Sequence, residues 1–180
     1  LRSFVSEDRI FVNDDIHPDY SHDEMPIYGK GAPTVLVEAT TTEDVAAIVK
    51  LCYENSIPVI PRGAGTGLTG AAVALHGGVM IDMSKMNKIL EYDKENFVVR
   101  VEAGVLLNDL AEDAQKQGLL YPPDPGEKFA TLGGNVSTNA GGMRAVKYGC
   151  TRDYVRAMTV VLPTGEIVKL GATVSKTSTG

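Results

Sequence analysis

The chain has 180 residues, 43% hydrophobic and 22% charged, with a net charge of −6 at pH 7, enough for one domain or two small lobes around a real core. The acidic balance argues against a nucleic-acid partner, whose footprint is a basic surface. Two distant cysteines, Cys52 and Cys150, make no disulfide framework and point to a reducing, cytoplasmic setting.

Residues 1–32 form a polar, acidic lead-in segment with no strong period and no signal-peptide pattern. TVLVEA, 34–39, reads as a buried strand. A helix follows, in which Thr40 and Glu43 form a capping-box pair. Val45, Ile48, Val49 and Cys52 make its apolar stripe, and Asn55 ends it. IPVIP, 57–61, is a second strand, so the three elements compose a βαβ unit and a parallel pair. GGVMIDMS, 77–84, reads as a third strand. ILEYD and FVVRVEAG flank Lys94-Glu95-Asn96 as a hairpin. LLNDLAEDAQKQG is an amphipathic helix with Leu107, Leu110, Ala111 and Ala114 on one face and Gly118 as its stop. LLYPPDPGEK is a proline-rich loop, and ATLGGNVSTNAGGMRAVKYG is too glycine-rich for a long helix. VRAMTVVLP and EIVKLG close a last hairpin around Thr164-Gly165. The chain starts at Leu1 and stops at STG with no evident terminal element, which reads as a fragment of a longer protein.

PRGAGTGLTG, 61–70, contains a formal GxGxxG match, Gly65 to Gly70. A dinucleotide fingerprint needs the last glycine to open a helix and an acid about 20 residues on. Here His76-Gly77-Gly78 stops any helix early and Asp82 comes too soon. No Gly-Lys-Ser/Thr follows, so a P-loop fails as well. A glycine-rich turn can nevertheless aim successive backbone amides at an anion. Its surroundings suit one, since no acid lies between Glu54 and Asp82 and Arg62 stands at the loop's start. Only one other long stretch avoids acids, Lys128 to Arg152, and it is also rich in Gly, Ser, Thr and Asn. The pair predicts one phosphate-bearing ligand gripped from two loops. The charge-free 63–81 run reads as loop, turn and strand, and no membrane span is expected.

PRGAGTGLTG, YPPDPG, ATLGGNVSTNAGG, YGCTRDYV and LPTGEIV, in this order, resemble the FAD-binding domain of the vanillyl-alcohol oxidase/PCMH flavoproteins. The lead-in YSHDEMPIYGKGAPTVLVEATTTEDV fits too. Within the family the chain is most similar to the glycolate oxidase GlcD and FAD-dependent D-lactate or D-2-hydroxyglutarate dehydrogenase branch. The resemblance implies an α+β fold, with a small parallel βαβ lobe over about 33–90. A larger, mainly antiparallel lobe with helices would occupy about 91–180 and be incomplete, with the C-terminal cap domain absent.

The resemblance further implies a site. Pro61, Arg62, Gly63, Ala64, Gly65, Thr66, Gly67 and Leu68 would wrap the FAD pyrophosphate with backbone amides. Pro125, Gly126 and Thr131 would lie along the flavin and ribityl region. Gly134, Ser137, Thr138, Asn139, Gly141 and Gly142 would hold the isoalloxazine side and the phosphates, and Val168 would touch the adenine. Covalent relatives attach the flavin to a histidine in the first loop. Gly67-Leu68 stand there instead, so non-covalent FAD is expected.

The resemblance implies a D-2-hydroxy-acid substrate, with catalytic residues and any metal ligands in the absent cap. An electron-acceptor subunit, either an iron–sulfur protein or an electron-transferring flavoprotein, would take the electrons. Location would be cytoplasmic or peripheral at the inner membrane through such a partner. Two rivals stand beside it: a transferase like alkyl-dihydroxyacetonephosphate synthase, and a non-redox nucleotide-binding module. Asp14, Asp15, His17, Asp19, His22, Asp23 and Glu24 lack metal-ligand spacing and read as a solvated acidic segment. Cys52 reads as core filler and Cys150 as inert.

Overall fold

The computed structural model describes residues 1–25, 27 and 29–174. The end of the expected second lobe, 175–180, and part of the lead-in motif at Pro26 and Tyr28 lie outside the described residues.

A four-stranded sheet organises the first half. Its strands are β1 (Ile10–Val12), β2 (Val35–Glu38), β3 (Val59–Arg62) and β4 (Val79–Asp82), in spatial order β1-β2-β4-β3. β2 and β3 both run parallel to β4, and β1 runs antiparallel to β2. Two sequence expectations need correction. The strands either side of the first helix are parallel but not paired, because β4 inserts between them. The lead-in also supplies an edge strand, which three residues, IFV, were too short to reveal by period.

Alternation along the strands sorts the two faces. Val37, Val79 and Ile81 point to the core that holds Val5, Ile48 and Cys52. Leu36 and Met80 point the other way, where Phe11, Ile16 and Tyr20 of the lead-in cover them. β4 is therefore buried along its whole length.

The first helix, α1 (Thr42–Glu54), buries Ile48 and Cys52 on the sheet, with Val45 and Val49 packed beside them. Its cap sits one residue later than expected. Thr41 Oγ1 accepts from the Asp44 amide at 3.0 Å, and Asp44 Oδ2 in return accepts from the Thr40 amide and hydroxyl. The run Thr40-Thr41-Thr42 offers three equivalent hydroxyls, and Arg9 decides among them by donating to Asp44 Oδ2 at 2.7 Å.

The second half consists of two ribbons and short helices. β5 (Ile89–Asp93) pairs with β6 (Val98–Val101), and β7 (Ala157–Val161) with β8 (Ile167–Gly171), both antiparallel. The α+β class is borne out, the antiparallel part taking the form of two separate ribbons. α2 (Leu107–Lys116) buries Leu107, Leu110 and Ala114 against Val105 and Leu132. The glycine-rich stretch forms α3 (Leu132–Thr138) and α4 (Ala145–Tyr148), both short as its composition required. Gly104 ties the halves together: its amide donates to Met86 O at 2.8 Å, and a side chain there would strike the Met83 carbonyl.

Burial pushes the Asp44 carboxyl up, but the hydrogen bonds from Arg9 and Thr40 outweigh it and hold it below the ordinary 3.8. The stabilisation is complete above that unfolded value and is lost as pH falls through the lower folded one. Replacing Asp44 by Ala should cost about 1–3 kcal/mol, read from chemical denaturation of the full-length protein at neutral pH. The difference from wild type should shrink at acid pH; a constant difference would show that the charge is irrelevant.

Candidate functional site

β3 ends at Arg62 and β4 at Asp82, so the glycine loop leaves the sheet at the carboxyl ends of parallel strands, a common position for ligands in α/β layers. No helix follows Gly70, which agrees with rejecting the Rossmann reading. Among the described residues, no acceptor faces the backbone amides of residues 63–68. Six consecutive unpaired donors are costly unless water or an anion meets them. Each bond to a charged oxygen contributes about 1.5–3 kcal/mol net.

The second acid-free stretch reaches the first. Residues 128–133 zip onto 103–108, with Leu107 donating to Ala130 O at 2.9 Å and Leu132 to Val105 O at 2.8 Å. Gly133 fits only because it has no side chain, since a Cβ would lie 2.9 Å from Ala103. This pairing carries Thr131 against Gly63, where a Cβ would collide with Thr131 Oγ1. Thr131 caps α3, its hydroxyl accepting from the Gly134 amide at 3.3 Å. The two loops therefore meet.

Other expected residues gather around that junction. At Gly142 (φ +135°) a side chain would strike the Asp124 carbonyl, so the Pro125-Gly126 loop and the Gly141-Gly142 turn touch. Gly126 has open space over it. Asp124 is neutralised by Lys128 and by Arg144 at 3.2 Å, and the Lys128 hydrogen bond holds its carboxyl below the usual range. Ser137 and Thr138 spend their hydroxyl protons on Gly133 O and Gly134 O, one turn back, which leaves them as acceptors. Asn139 takes a left-handed conformation (φ +50°) and its side-chain Oδ1 accepts from the Arg152 amide. Val168 stands apart on β8, whose turn at Gly165 packs on Ala46 and Lys50 of α1.

Arg62 differs from its expected setting. Its guanidinium is buried and donates to three carbonyls, His22 O at 2.9 Å, Ala72 O at 3.0 Å and Asp19 O at 2.9 Å. It also stacks on the Tyr20 ring at 5.3 Å. Burial pulls its proton affinity down and the nearby acids pull it back; a guanidinium stays charged under these conditions. It is a fixed positive charge beneath the loop, directly under Gly65.

The lead-in segment also corrects the sequence reading. Asp23 is buried and not solvated: its Oδ2 accepts from the Gly70 amide at 2.7 Å and its Oδ1 from Met25 at 2.9 Å. The loop is free of acids along the chain but not in space. Tyr20 donates to Asp82 Oδ2 at 2.5 Å, and burial plus that carboxylate raise its pKa well above normal. Tyr20, Asp82, Arg62, Gly63 and Ser84 line a cleft of about 370 Å³. Nothing in the polar run DDIHPDYSHDE marks Asp23 for burial. Asp82 did carry a signal, as an acid closing the apolar run Val79–Ile81 at a strand's carboxyl end.

One further residue points to a missing partner. Asn135 is buried, and its Nδ2 lacks an acceptor among the described residues. An orphaned amide in α3, four residues from the Gly63–Thr131 junction, fits a ligand that supplies an oxygen. Free amides, a buried cation and short polar groups gather where the two loops meet, a donor set that suits a phosphate-bearing nucleotide.

Comparison with known proteins gives the family. The profile described as FAD binding domain matches residues 33–171, and the chain belongs to that family. FAD is the cofactor of this domain, and the donors just described suit it. A D-lactate dehydrogenase of Anaerostipes hadrus is 76% identical over 176 residues, 98% of this chain and 37% of its own length. Glycolate oxidase subunit GlcD of Bacillus subtilis (strain 168) is 40% identical over 162 residues, 89% of this chain and 34% of its own. A solved structure of alkyldihydroxyacetonephosphate synthase superposes with a TM-score of 0.83 at 26% identity, over 95% of this chain and 36% of that one. The chain thus spans little more than a third of these relatives. The resemblance read from the motifs is borne out. No helix among the described residues is long and apolar enough to cross a membrane.

Gly63→Ala tests the junction. In the full-length protein it should weaken FAD binding by about tenfold or more, read by flavin titration. Wild-type affinity in that variant would show that the loops need not touch.

Proposed function

We propose that the full-length protein is an FAD-dependent dehydrogenase or oxidase of D-2-hydroxy acids such as D-lactate, glycolate or D-2-hydroxyglutarate, and that this chain holds its flavin. The observation that carries the reading is the meeting of the two acid-poor loops at Gly63 and Thr131. The names of the relatives support the reaction class. When bound, FAD would supply two-electron chemistry, as the acceptor for hydride transfer from the substrate α-carbon to flavin N5.

The residues of this chain do the holding. Amides of 63–68 bond the pyrophosphate, and the Arg62 charge beneath them adds attraction without contact. Thr131, Gly134 and the Gly141-Gly142 turn face the remaining nucleotide, and Asn135 Nδ2 donates to it. Pro125 and Gly126 border the flavin, Ser137, Thr138 and Asn139 its other edge, and Val168 the adenine. The domain runs from about 33 to 180 in two lobes, preceded by the lead-in segment. No histidine, cysteine or tyrosine lies in 61–70, so this loop offers no covalent attachment point, which supports a non-covalently held flavin. The groups that bind substrate and move its hydroxyl proton belong to the part of the relatives' length that this chain does not span. Electrons leave to an iron–sulfur subunit or an electron-transferring flavoprotein in the cytoplasm or at the membrane face.

A second reading has one observation behind it, the close superposition on alkyldihydroxyacetonephosphate synthase. Substrate-induced bleaching separates the two. Anaerobic addition of D-lactate, glycolate or D-2-hydroxyglutarate to the full-length protein should bleach the yellow flavin absorbance within a turnover. An acyl-dihydroxyacetonephosphate turned over with a fatty alcohol, while all three acids leave the colour unchanged, would establish the transferase instead.

A further inference from the structure

We propose that residues 19–24 are a strap that sets the shape of the cofactor loop, with Asp23 as the positioning residue; this rests on FAD being the ligand of that loop. The loop cannot set its own shape. Among the described residues its amides from 63 to 68 make no internal hydrogen bonds, and glycine at 63, 65 and 67 removes the side-chain constraints that would narrow its backbone. Order must be imposed from outside.

Most of that order comes from the strap, beside one bond across the loop region itself, Arg62 Nη1 donating to Ala72 O at 3.0 Å. Asp23 Oδ2 fixes the far end by accepting from the Gly70 amide, and the Glu24 amide fixes the middle by donating to Gly67 O at 3.1 Å. At the near end, the carbonyls of Asp19 and His22 hold the Arg62 guanidinium, with Tyr20 stacked on it. That guanidinium occupies the space a Gly65 side chain would need. Strap, arginine and glycine thus interlock. Tyr20 is tied in turn to Asp82 at the end of β4, which anchors the strap to the sheet. The segment precedes the residues matched by the family, which begin at 33.

Asp23 suits positioning and not contact with the nucleotide. Both of its oxygens are taken by backbone amides. A carboxylate set close to a phosphate would repel it. The adjacent Arg62 charge and the two amide bonds offset that repulsion. The acid can therefore shape an anion site from behind it.

The test compares the full-length wild type with Asp23→Ala and Asp23→Asn, each stripped of flavin and titrated with FAD. Thermal melting of each apoprotein is followed in parallel. Asp23→Ala should raise the FAD Kd by about tenfold or more and change the visible circular dichroism of the bound flavin. Asp23→Asn keeps one acceptor oxygen and should fall between. A lower apoprotein melting point with an unchanged Kd would mean a merely structural acid and would overturn the strap. Where Asp23→Ala does not fold, Asp23→Asn decides: a Kd within about twofold of wild type and unaltered dichroism overturn it. A wild type that binds no FAD would instead defeat the functional reading itself, and the strap with it.

Discussion

The missing side chain at Gly63 is the constraint on which the site depends. The first lobe's loop and the cap of α3 come into contact there, and a single methyl group would part them. Gly133 against Ala103 and Gly104 against Met83 repeat the device along the same seam. Glycine backbones that approach a neighbouring residue this closely leave little room for a side chain, because protein interiors pack like crystals and not like liquids. The glycines let these segments approach one another this closely.

Electrostatics then follow from backbone and not from surface charge. A chain with net charge −6 would repel an anion if its acids were spread evenly. Here the two loops lack acids of their own, Asp124 is paired, and Asp23, which reaches the loop, is saturated by amides. Beneath the loop, Arg62 gives its charge without offering its fork to the ligand. A buried guanidinium bonded to carbonyls is held in place before any ligand arrives, so little reorganisation accompanies binding. That arrangement also explains why Tyr20 and Asp82, remote from any catalytic chemistry described for this chain, are so deeply engaged.

Local pattern was legible in the sequence; long-range partnership was not. The stripe Val45, Ile48, Val49 and Cys52 announced α1, and alternation announced the hairpins. The paired acid-free runs marked two segments that meet at Gly63 and Thr131. The order β1-β2-β4-β3 was hidden because strand neighbours are chosen by faces that only meet in space, and among these strands β4 alone is buried at every position. Three adjacent threonines made the α1 cap ambiguous until Arg9 selected one. The burial of Asp23 was invisible for a similar reason: its partners are the backbone amide of Gly70, 47 positions along the chain, and that of its near neighbour Met25. Side-chain identity cannot report a bond whose other half is main chain.

Amide hydrogen exchange on the full-length protein, with and without FAD, tests the convergence of the two loops most directly. The unpaired amides of 63–68 and those of Gly141, Gly142 and Met143 should exchange rapidly in the apoprotein. On addition of FAD both groups should slow together, by about tenfold or more. Protection confined to one of the two segments would contradict the account.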